Sequence, residues 1–225
     1  MKPLVILRPE PGASDTVAAA RALGLDAYAC PLFRVGPIAW AFDATIPYDA
    51  VFVTSANALR HGGEQLGALH GFPLLAVGAA TAEAARAAGF TDIVTGESDG
   101  AALAELAAAL GYHHLLHLAG DPHTQITHPQ LIFDVKITYQ TIEIEELQYF
   151  FRRLEHPCVT LVHSPRAGRR LAALMPLDAR ANTAIVAISE KAALAVGEGW
   201  ASTSWPSLPL AAAMLDLALP LCRAG

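Results

Sequence analysis

The stretch Val135-Lys136-Ile137-Thr138-Tyr139-Gln140-Thr141 decides how the chain is organised. Val135, Ile137 and Tyr139 alternate with polar residues, and this period of two, with β-branched residues among them, predicts a half-buried strand. The strand lies between two blocks of sequence that each have the pattern of an α/β unit. We therefore expect it to be the return leg of a two-stranded connector between two lobes, with the outgoing leg at residues 30–38.

Short apolar runs alternate with alanine-rich, helix-favouring segments on both sides of this strand. Strands are predicted at 4–7, 26–31, 50–53, 74–77, 92–94, 115–118, 158–162, 184–188 and 201–205. Helices are predicted at 16–23, 56–69, 81–88, 101–110, 145–154, 167–175, 191–196 and 208–219, the first of them capped by Ser14-Asp15 and the fourth by Ser98 or Asp99. Such alternation indicates parallel sheets with helices on both faces.

The order of these elements predicts an α/β fold of two parallel-sheet, three-layer lobes joined by a two-stranded β connector, with the second lobe inserted in the first. Residues 1–34 and 140–225 are expected to form the discontinuous first lobe, and residues 38–135 the inserted second lobe. The connector strands are expected at 30–38 and 134–142. Val53-Thr54-Ser55 and Val162-His163-Ser164 resemble each other, as duplicated lobes would, although chance similarity is a competing explanation in an alanine-rich chain.

Composition narrows the class of protein. A hydrophobic content of 53% with 16% charged residues supports a folded core and excludes disorder. The net charge of −6 argues against a nucleic-acid partner, which needs a basic face. Three widely separated cysteines give no disulfide framework, so we expect a reducing, cytoplasmic location. No segment has the length of a membrane span, and the apolar run near the start is too short for a signal peptide.

Cofactor and metal motifs are absent from the sequence. It contains neither a phosphate-binding loop nor a Gly-x-Gly-x-x-Gly turn, and no Gly-x-Ser-x-Gly elbow. His113, His114, His117, His123 and His128 are close in sequence, but strand alternation would separate His114 from His113 and His117. No carboxylate or cysteine lies at metal-ligand spacing near them. The sequence therefore has no nucleotide-binding fingerprint, and we expect no metal site.

Hydroxyl groups lie where predicted strands end and helices begin, the edge at which open α/β sheets bind ligands. Backbone N–H groups at helix starts bind carboxylates or phosphates there. Serine and threonine are also common helix N-caps, so each of these residues has a purely structural alternative. The residues concerned are Thr54, Ser55, Thr81, Ser164 and Ser189.

Basic residues follow the same pattern. Cations near a helix start oppose the helix dipole, and an external anion would account for them, although solvated surface charge is the alternative. Arg60, Arg166 and Lys191 lie near predicted helix starts, Arg8 lies at the end of the first strand, and Arg34 and Lys136 lie on the connector. Tyr139 also has two interpretations. It either packs in a core with its hydroxyl bonded to a neighbour, or lines a cleft and donates a proton to a leaving group.

The order and spacing of five short stretches resemble the uroporphyrinogen-III synthase family over essentially the whole chain. They are Leu7-Arg8-Pro9, residues 53–60 (VTSANALR), residues 77–82 (VGAATA), Tyr139-Gln140-Thr141 and His163-Ser164-Pro165-Arg166. None is a strong motif alone. The resemblance implies two α/β lobes joined by a two-stranded ladder, in agreement with the connector predicted from the pattern.

The resemblance also implies an activity. The chain would be a cyclising hydro-lyase of heme and tetrapyrrole biosynthesis that closes hydroxymethylbilane, with water eliminated and ring D inverted through a spiro intermediate. It implies no cofactor and no metal. The expected partner is this small polyanionic substrate, with no nucleic acid and no membrane. The protein is expected to be a monomer, with transient contact to the preceding pathway enzyme as a further possibility.

The resemblance assigns site residues as well. It implies a catalytic role for Tyr139, with Thr81 also lining the cleft. The substrate-binding residues expected from the resemblance and the strand-end pattern are Arg8, Thr54, Ser55, Asn57, Gly78, Thr81, Ser164, Arg166 and Lys191. Two stretches depart from the family. Ser189-Glu190-Lys191-Ala192 replaces a Gly-x-x-Thr-Ala turn, which makes Lys191 the substitute contact, and residues 119–123 replace an Arg-Gly loop.

A function from another class fits the same pattern. A non-catalytic, two-lobed domain that binds a small anion or acts as a sensor would also place hydroxyls and cations at strand ends. The isomer of the cyclised product separates these two hypotheses.

Overall fold

The computed structural model describes residues 1–147, 152 and 156–224. These residues divide into two compact units. The first unit comprises Met1–Arg34 and Glu143–Gly225, and the second comprises Val35–Ile142. Within the described part of the chain, every helix falls short of the length and hydrophobicity needed to cross a membrane.

The described elements alternate between strand and helix along most of the chain. In chain order they are β1 (Leu4–Ile6), α1 (Gly12–Ala22), β2 (Ala27–Ala29), β3 (Phe33–Pro37), β4 (Ala50–Val53), α2 (Ala56–Arg60), β5 (Leu74–Val77), α3 (Gly78–Ala87), β6 (Ile93–Gly96), α4 (Gly100–Ala109), β7 (His114–Asp121), β8 (Ile132–Glu143), β9 (Cys158–Val162), α5 (Pro165–Leu174), β10 (Thr183–Ala187), α6 (Glu190–Ala195), β11 (Ser202–Ser204) and α7 (Ala211–Arg223). Short 3-10 helices cover Gly63–Leu69 and Leu177–Asn182.

Each unit contains a sheet whose strand order reverses once. The first sheet has the order β11-β10-β9-β1-β2, with all four neighbouring pairs parallel. The second has the order β3-β8-β7-β4-β5-β6, with parallel pairing from β8 through β6. The reversals fall between β1 and β9 in the first unit and between β4 and β7 in the second. Open parallel sheets bind ligands at the carboxyl ends of the strands beside such a reversal.

Both sheets are buried on their two faces. In the first unit Val5 packs in one apolar cluster, while Leu4 and Ile6 pack in the other. In the second, Val51 and Phe52 are divided in the same way between two clusters. Parallel strands buried on both faces need continuous apolar runs, which the sequence supplies. The predicted α/β fold with parallel sheets is confirmed.

Two helix predictions are wrong. The predicted helix 56–69 is broken, since α2 ends at Arg60 and Gly63 adopts φ +65°, a left-handed conformation that an α-helix cannot contain. The first helix begins at Gly12 and not at residue 16. Ser14 therefore does not cap it, and its N–H and hydroxyl donate to the Glu10 carboxylate at 3.0 Å.

The helix predicted at 145–154 is not formed at residues 145–147. Residues 148–151, 153 and 154 of that prediction lie outside the described part of the chain.

The predicted alternation along the connector strand is also wrong, because β8 contains a bulge. Ala119 of β7 faces Ile137, but Gly120 faces Tyr139, so Thr138 is an extra residue. Thr138 is fully buried, and its hydroxyl donates to the Ala58 carbonyl at 3.3 Å. Tyr139 consequently packs on the opposite face from Val135, with the cluster that contains Val51.

The break after α2 gives a stability prediction with a matched control. A Cβ added at Gly63 or at Gly67 meets nothing within 4 Å, but only Gly63 of the two has a left-handed backbone. Gly63→Ala should therefore lower the free energy of unfolding by about 1–2 kcal/mol through backbone strain alone. Gly67→Ala should change it by less than about 0.5 kcal/mol. Urea denaturation measures both, and equal losses would show that the conformation of Gly63 is not the constraint.

Candidate active site

The second unit contains a cleft of about 590 Å³ at the carboxyl edge of its sheet, which we call the edge cleft. It lies where β4, β5, β7 and β8 end and α4 begins, and it includes the reversal between β4 and β7. Its volume is in the range of small-molecule sites. The lining residues are Thr54, Val77, Ser98, Asp99, Gly100, Ala101, Gly120, Pro122, His123, Thr124, Gln125, Ile126, Thr127 and Tyr139.

Tyr139 lies directly over Gly120 at one side of the edge cleft. A Cβ on Gly120 would lie 2.5 Å from Cε2 and 2.7 Å from the hydroxyl oxygen of Tyr139, and closer still to Cζ. Only glycine leaves room for the ring in this position. The ring packs against the apolar cluster and the residue also lines the cleft, while its role as a proton donor stays a prediction.

The end of α2 brings His61 beside Tyr139, with ring centroids 6.3 Å apart and an interplanar angle of 33°. Burial and the positive charge of Arg60 lower the pKa of His61, which favours the neutral imidazole. The sequence analysis missed this residue. The only indication of it in the sequence is its position one residue after the stretch 53–60, which resembles the family.

The residues that follow β4 have different roles. Thr54 lines the edge cleft. Ser55 caps α2, since its Oγ accepts from the Asn57 N–H at 3.3 Å, and Asn57 Oδ1 accepts from Arg60 at 3.2 Å. Ser55 and Asn57 do not line the cleft, so in this structure the capping interpretation accounts for Ser55.

Gly78 and Thr81 lie on α3 and outside the edge cleft. Gly78 begins the helix with φ +72°, and Thr81 is only 5% exposed on the buried face. At the start of α4, Asp99 lines the cleft and also caps the helix. One of its carboxylate oxygens accepts from the N–H groups of Ala101 and Ala102 at 3.0 and 2.9 Å, so those two amides are not available to a ligand.

In the first unit, Arg8 and Ser164 follow the two strands beside the reversal. The Arg8 guanidinium covers Gly12, where an added Cβ would lie 2.5 Å from Nε. Ser164 caps α5, with Oγ accepting from the Ala167 N–H at 3.1 Å. The guanidinium carbon of Arg166 lies 4.7 Å from the ring centre of Phe33, a cation–π contact.

The remaining predicted residues of this unit lie on α6. Lys191 is exposed there, and Ser189 caps the helix by accepting from the Ala192 N–H at 3.4 Å. The strand-end pattern thus identified capping serines correctly, and it placed a cation at the start of α6.

His163 is a polar residue of the first unit that the sequence analysis did not select. It follows β9, and both of its ring nitrogens are buried, with the Leu161 backbone as a weak hydrogen-bond partner outside ideal geometry. Burial and the positive charge of Arg8 lower its pKa to about 4, so the ring is neutral at neutral pH. An anion that bound at Arg8 would offset the positive charge that now acts on this ring.

The described residues contain no group of three or more His, Cys, Asp or Glu arranged to hold a metal ion. Of the histidines that are close in sequence, His113 is exposed before β7, whereas His117 is buried within β7 with the ring of His123 6.1 Å away. The polar groups of the edge cleft are therefore hydroxyls, amides, imidazole and the Asp99 carboxylate. This set can donate a proton, orient polar groups and hold a carboxylate-bearing ligand.

Comparisons with known proteins identify a family and solved structures of similar fold. A family model described as "Uroporphyrinogen-III synthase HemD" matches residues 14–216. The solved uroporphyrinogen-III synthetase of Helicobacter pylori is 17% identical, with a TM-score of 0.67 over 98% of this chain and all of that chain. A mutant uroporphyrinogen III synthase of Thermus thermophilus is 15% identical, with a TM-score of 0.50 over 99% of this chain and all of that chain.

At these identities the solved structures show a shared fold, and no curated protein sequence matches the chain. The family model is the finding that identifies the class, since it spans most of the 225 residues. The chain belongs to the uroporphyrinogen-III synthase family, the cyclising lyases of heme biosynthesis.

Proposed function

We propose that this chain closes hydroxymethylbilane, a linear tetrapyrrole, to uroporphyrinogen III, with loss of water and inversion of ring D. The observation that carries the proposal is the position of Tyr139, whose ring is held over Gly120 at the edge cleft. This position offers a phenolic O–H to a ligand on the cleft side. Family membership supplies the reaction class.

In the proposed first step, the Tyr139 hydroxyl donates a proton to the hydroxymethyl group of the substrate. Water leaves, and the pyrrole nitrogen supplies the electron pair that forms an azafulvene. The substituted α-carbon of ring D then attacks, which gives the spiro intermediate. The original bond between the substituted α-carbon of ring D and its bridge carbon then breaks, and the bridge carbon bonds to the free α-carbon of ring D. This α-carbon of ring D loses its proton, which restores the pyrrole and returns a proton to Tyr139.

Positioning carries most of the catalytic task in this proposal, because the linear substrate closes without inversion when no enzyme is present. Holding ring D so that its substituted carbon meets the azafulvene selects the spiro route. The substrate carries many carboxylates, and we propose that Arg8, Ser164, Arg166 and Lys191 of the first unit bind some of them. Thr54 lines the edge cleft and is a further proposed contact.

We also propose that the two units are lobes connected by β3 and β8. The chain passes between the units at residues 34/35 and 142/143, within these two strands, and the strands are neighbours in one sheet. The protein is proposed to act as a cytoplasmic monomer without metal or organic cofactor. The expected ligand is the small tetrapyrrole, and a transient contact with the enzyme that produces it is part of the same proposal.

The proposed function has a direct test. Hydroxymethylbilane is supplied to the protein, the products are oxidised, and the type I and type III porphyrins are separated. We expect type III product to exceed the type I product of a protein-free control. Type I product alone would contradict catalysis and favour a non-catalytic domain that binds small anions.

Tyr139→Phe tests the acid role. It removes only the hydroxyl, so the rate of type III formation should fall on the order of a hundredfold with little change in thermal stability. Tyr112→Phe is the matched control, because Tyr112 packs against the other apolar cluster of the unit and does not line the edge cleft. If both variants kept the wild-type rate, Tyr139 would not be the proton donor.

Gly120→Ala tests whether the contact with Gly120 positions Tyr139. The added methyl group must displace the ring, so the type III rate should fall about tenfold or more, as when a catalytic group is moved by about 1 Å. The same change in a Tyr139→Phe background should add little further loss, because the hydroxyl is already absent. Gly67→Ala serves as the glycine control. Fully additive losses would show that Gly120 acts independently of the Tyr139 hydroxyl.

A further inference from the structure

A second cavity of about 350 Å³ lies beside the edge cleft in the second unit. His123, Gln125, Ile126 and Thr127 line both cavities, so residues 123–127 form a shared wall. We call the second space the histidine cavity, since His117, His123 and His128 all line it.

His117 is the polar group of this cavity whose burial needs an explanation. It is 2% exposed, and its Nε2 has no hydrogen-bond partner within the described part of the chain. Its ring lies edge-on to Phe52, with centroids 5.2 Å apart, and near Phe133 and His123 at 6.2 and 6.1 Å. A buried polar atom without a partner costs about 1–3 kcal/mol, which a bound ligand would recover.

The other two histidines differ in availability. The Gln130 N–H donates to His128 Nδ1 at 3.2 Å, so the proton of that ring is on Nε2, which faces the Glu105 carboxylate at 3.3 Å. His128 is therefore engaged at both nitrogens. His123 Nδ1 lies 3.0 Å from the Gly120 carbonyl, which can only accept, so Nδ1 carries a proton. The Nε2 of the neutral ring is then an acceptor and cannot donate to a carboxylate.

The cavity lining has donors but no fixed charge. Its described lining residues include no Asp, Glu, Lys or Arg, while Gln125 and Thr127 add an amide and a hydroxyl. Burial, with a smaller contribution from His123, lowers the pKa of His117 to about 4, so this ring is neutral at neutral pH. An anion in the cavity would favour the imidazolium form and turn the ring into a charged donor.

We propose that the histidine cavity binds one carboxylate, held by Nε2–H of His117 with the Gln125 amide and the Thr127 hydroxyl as further donors. His123 packs edge-on against His117 from the loop after β7, and turning it aside opens the route to His117. The expected occupant is an acetate or propionate group of the tetrapyrrole, a choice that rests on the proposed function. A free small carboxylate has the same chemistry, and the experiment separates the two sources.

Carboxylate binding should take up a proton. The titratable groups around His117 are His123 and His128 from the loop, and Glu105 of α4 through its contact with His128. β4 and β8 contribute Phe52, Phe133 and Val135, which do not titrate. Because binding raises the pKa of His117 from about 4, affinity should fall by up to about tenfold for each pH unit above that value, until the bound-state pKa is passed.

The test titrates sodium propionate into the protein and follows the imidazole nitrogens by NMR, with propionamide as the uncharged control. The His117 signals, assigned by their loss in His117→Gln, should move toward the imidazolium position with propionate and not with propionamide. Val135→Trp fills the cavity from a side chain that is 38% exposed, and should abolish the shift. His113→Gln, a change at an exposed histidine, should retain it. Unmoved His117 signals in the wild type, or an equal shift in Val135→Trp, would overturn the proposal.

The KM for hydroxymethylbilane distinguishes a carboxylate of the substrate from a free small carboxylate. If the occupant belongs to the substrate, Val135→Trp should raise KM for hydroxymethylbilane about tenfold with kcat unchanged. If Val135→Trp leaves KM unchanged while the wild-type protein shows the His117 shift with propionate, the site binds a free carboxylate. The NMR test and the isomer assay can fail separately. A protein that made only type I product but still showed the His117 shift would support the carboxylate site and contradict the proposed function.

Discussion

The geometry of the edge cleft depends on the contact between the Tyr139 ring and the backbone of Gly120. The contact requires two features at neighbouring strand positions. One is the bulge at Thr138, which shifts the pairing so that Tyr139 faces Gly120. The other is the glycine at position 120, because a side chain there would displace the ring from the strand. The buried hydroxyl of Thr138, bonded to the Ala58 carbonyl, fixes the bulge to the element that carries His61.

The bulge also explains which part of the candidate site could be predicted from sequence. The bounds of β4, β5 and β9 follow from continuous apolar runs, and the capping serines follow from their position after strands. The face on which Tyr139 lies could not be derived, because a period of two assumes unbroken pairing and one extra residue reverses it. Gly120 and His61 were missed for a related reason, since their roles depend on contacts with β8 that strand pairing alone creates.

The two units use the same edge differently. In the second unit the reversal between β4 and β7 opens into the edge cleft, which is lined by hydroxyls, amides, His123 and the Asp99 carboxylate. In the first, the strands beside the reversal are followed by Arg8 and by the His163-Ser164-Pro165-Arg166 stretch, so fixed positive charge dominates there. The edge cleft of the second unit suits a reacting group, and the positive charge of the first unit suits the carboxylates of a polyanionic ligand. This difference is consistent with duplication followed by specialisation of the two sheets.

Each unit contains a buried histidine that is neutral at neutral pH. His117 and His163 each have a pKa lowered to about 4 by burial, and each lies near a place where an anion is proposed to bind. At neutral pH these rings add no charge to a chain whose net charge is −6. A fixed cation in place of His117 would have to be hydrated whenever the substrate was absent. Imidazoles that gain a proton only when a carboxylate arrives avoid that cost, because charge and counter-charge enter the buried site together.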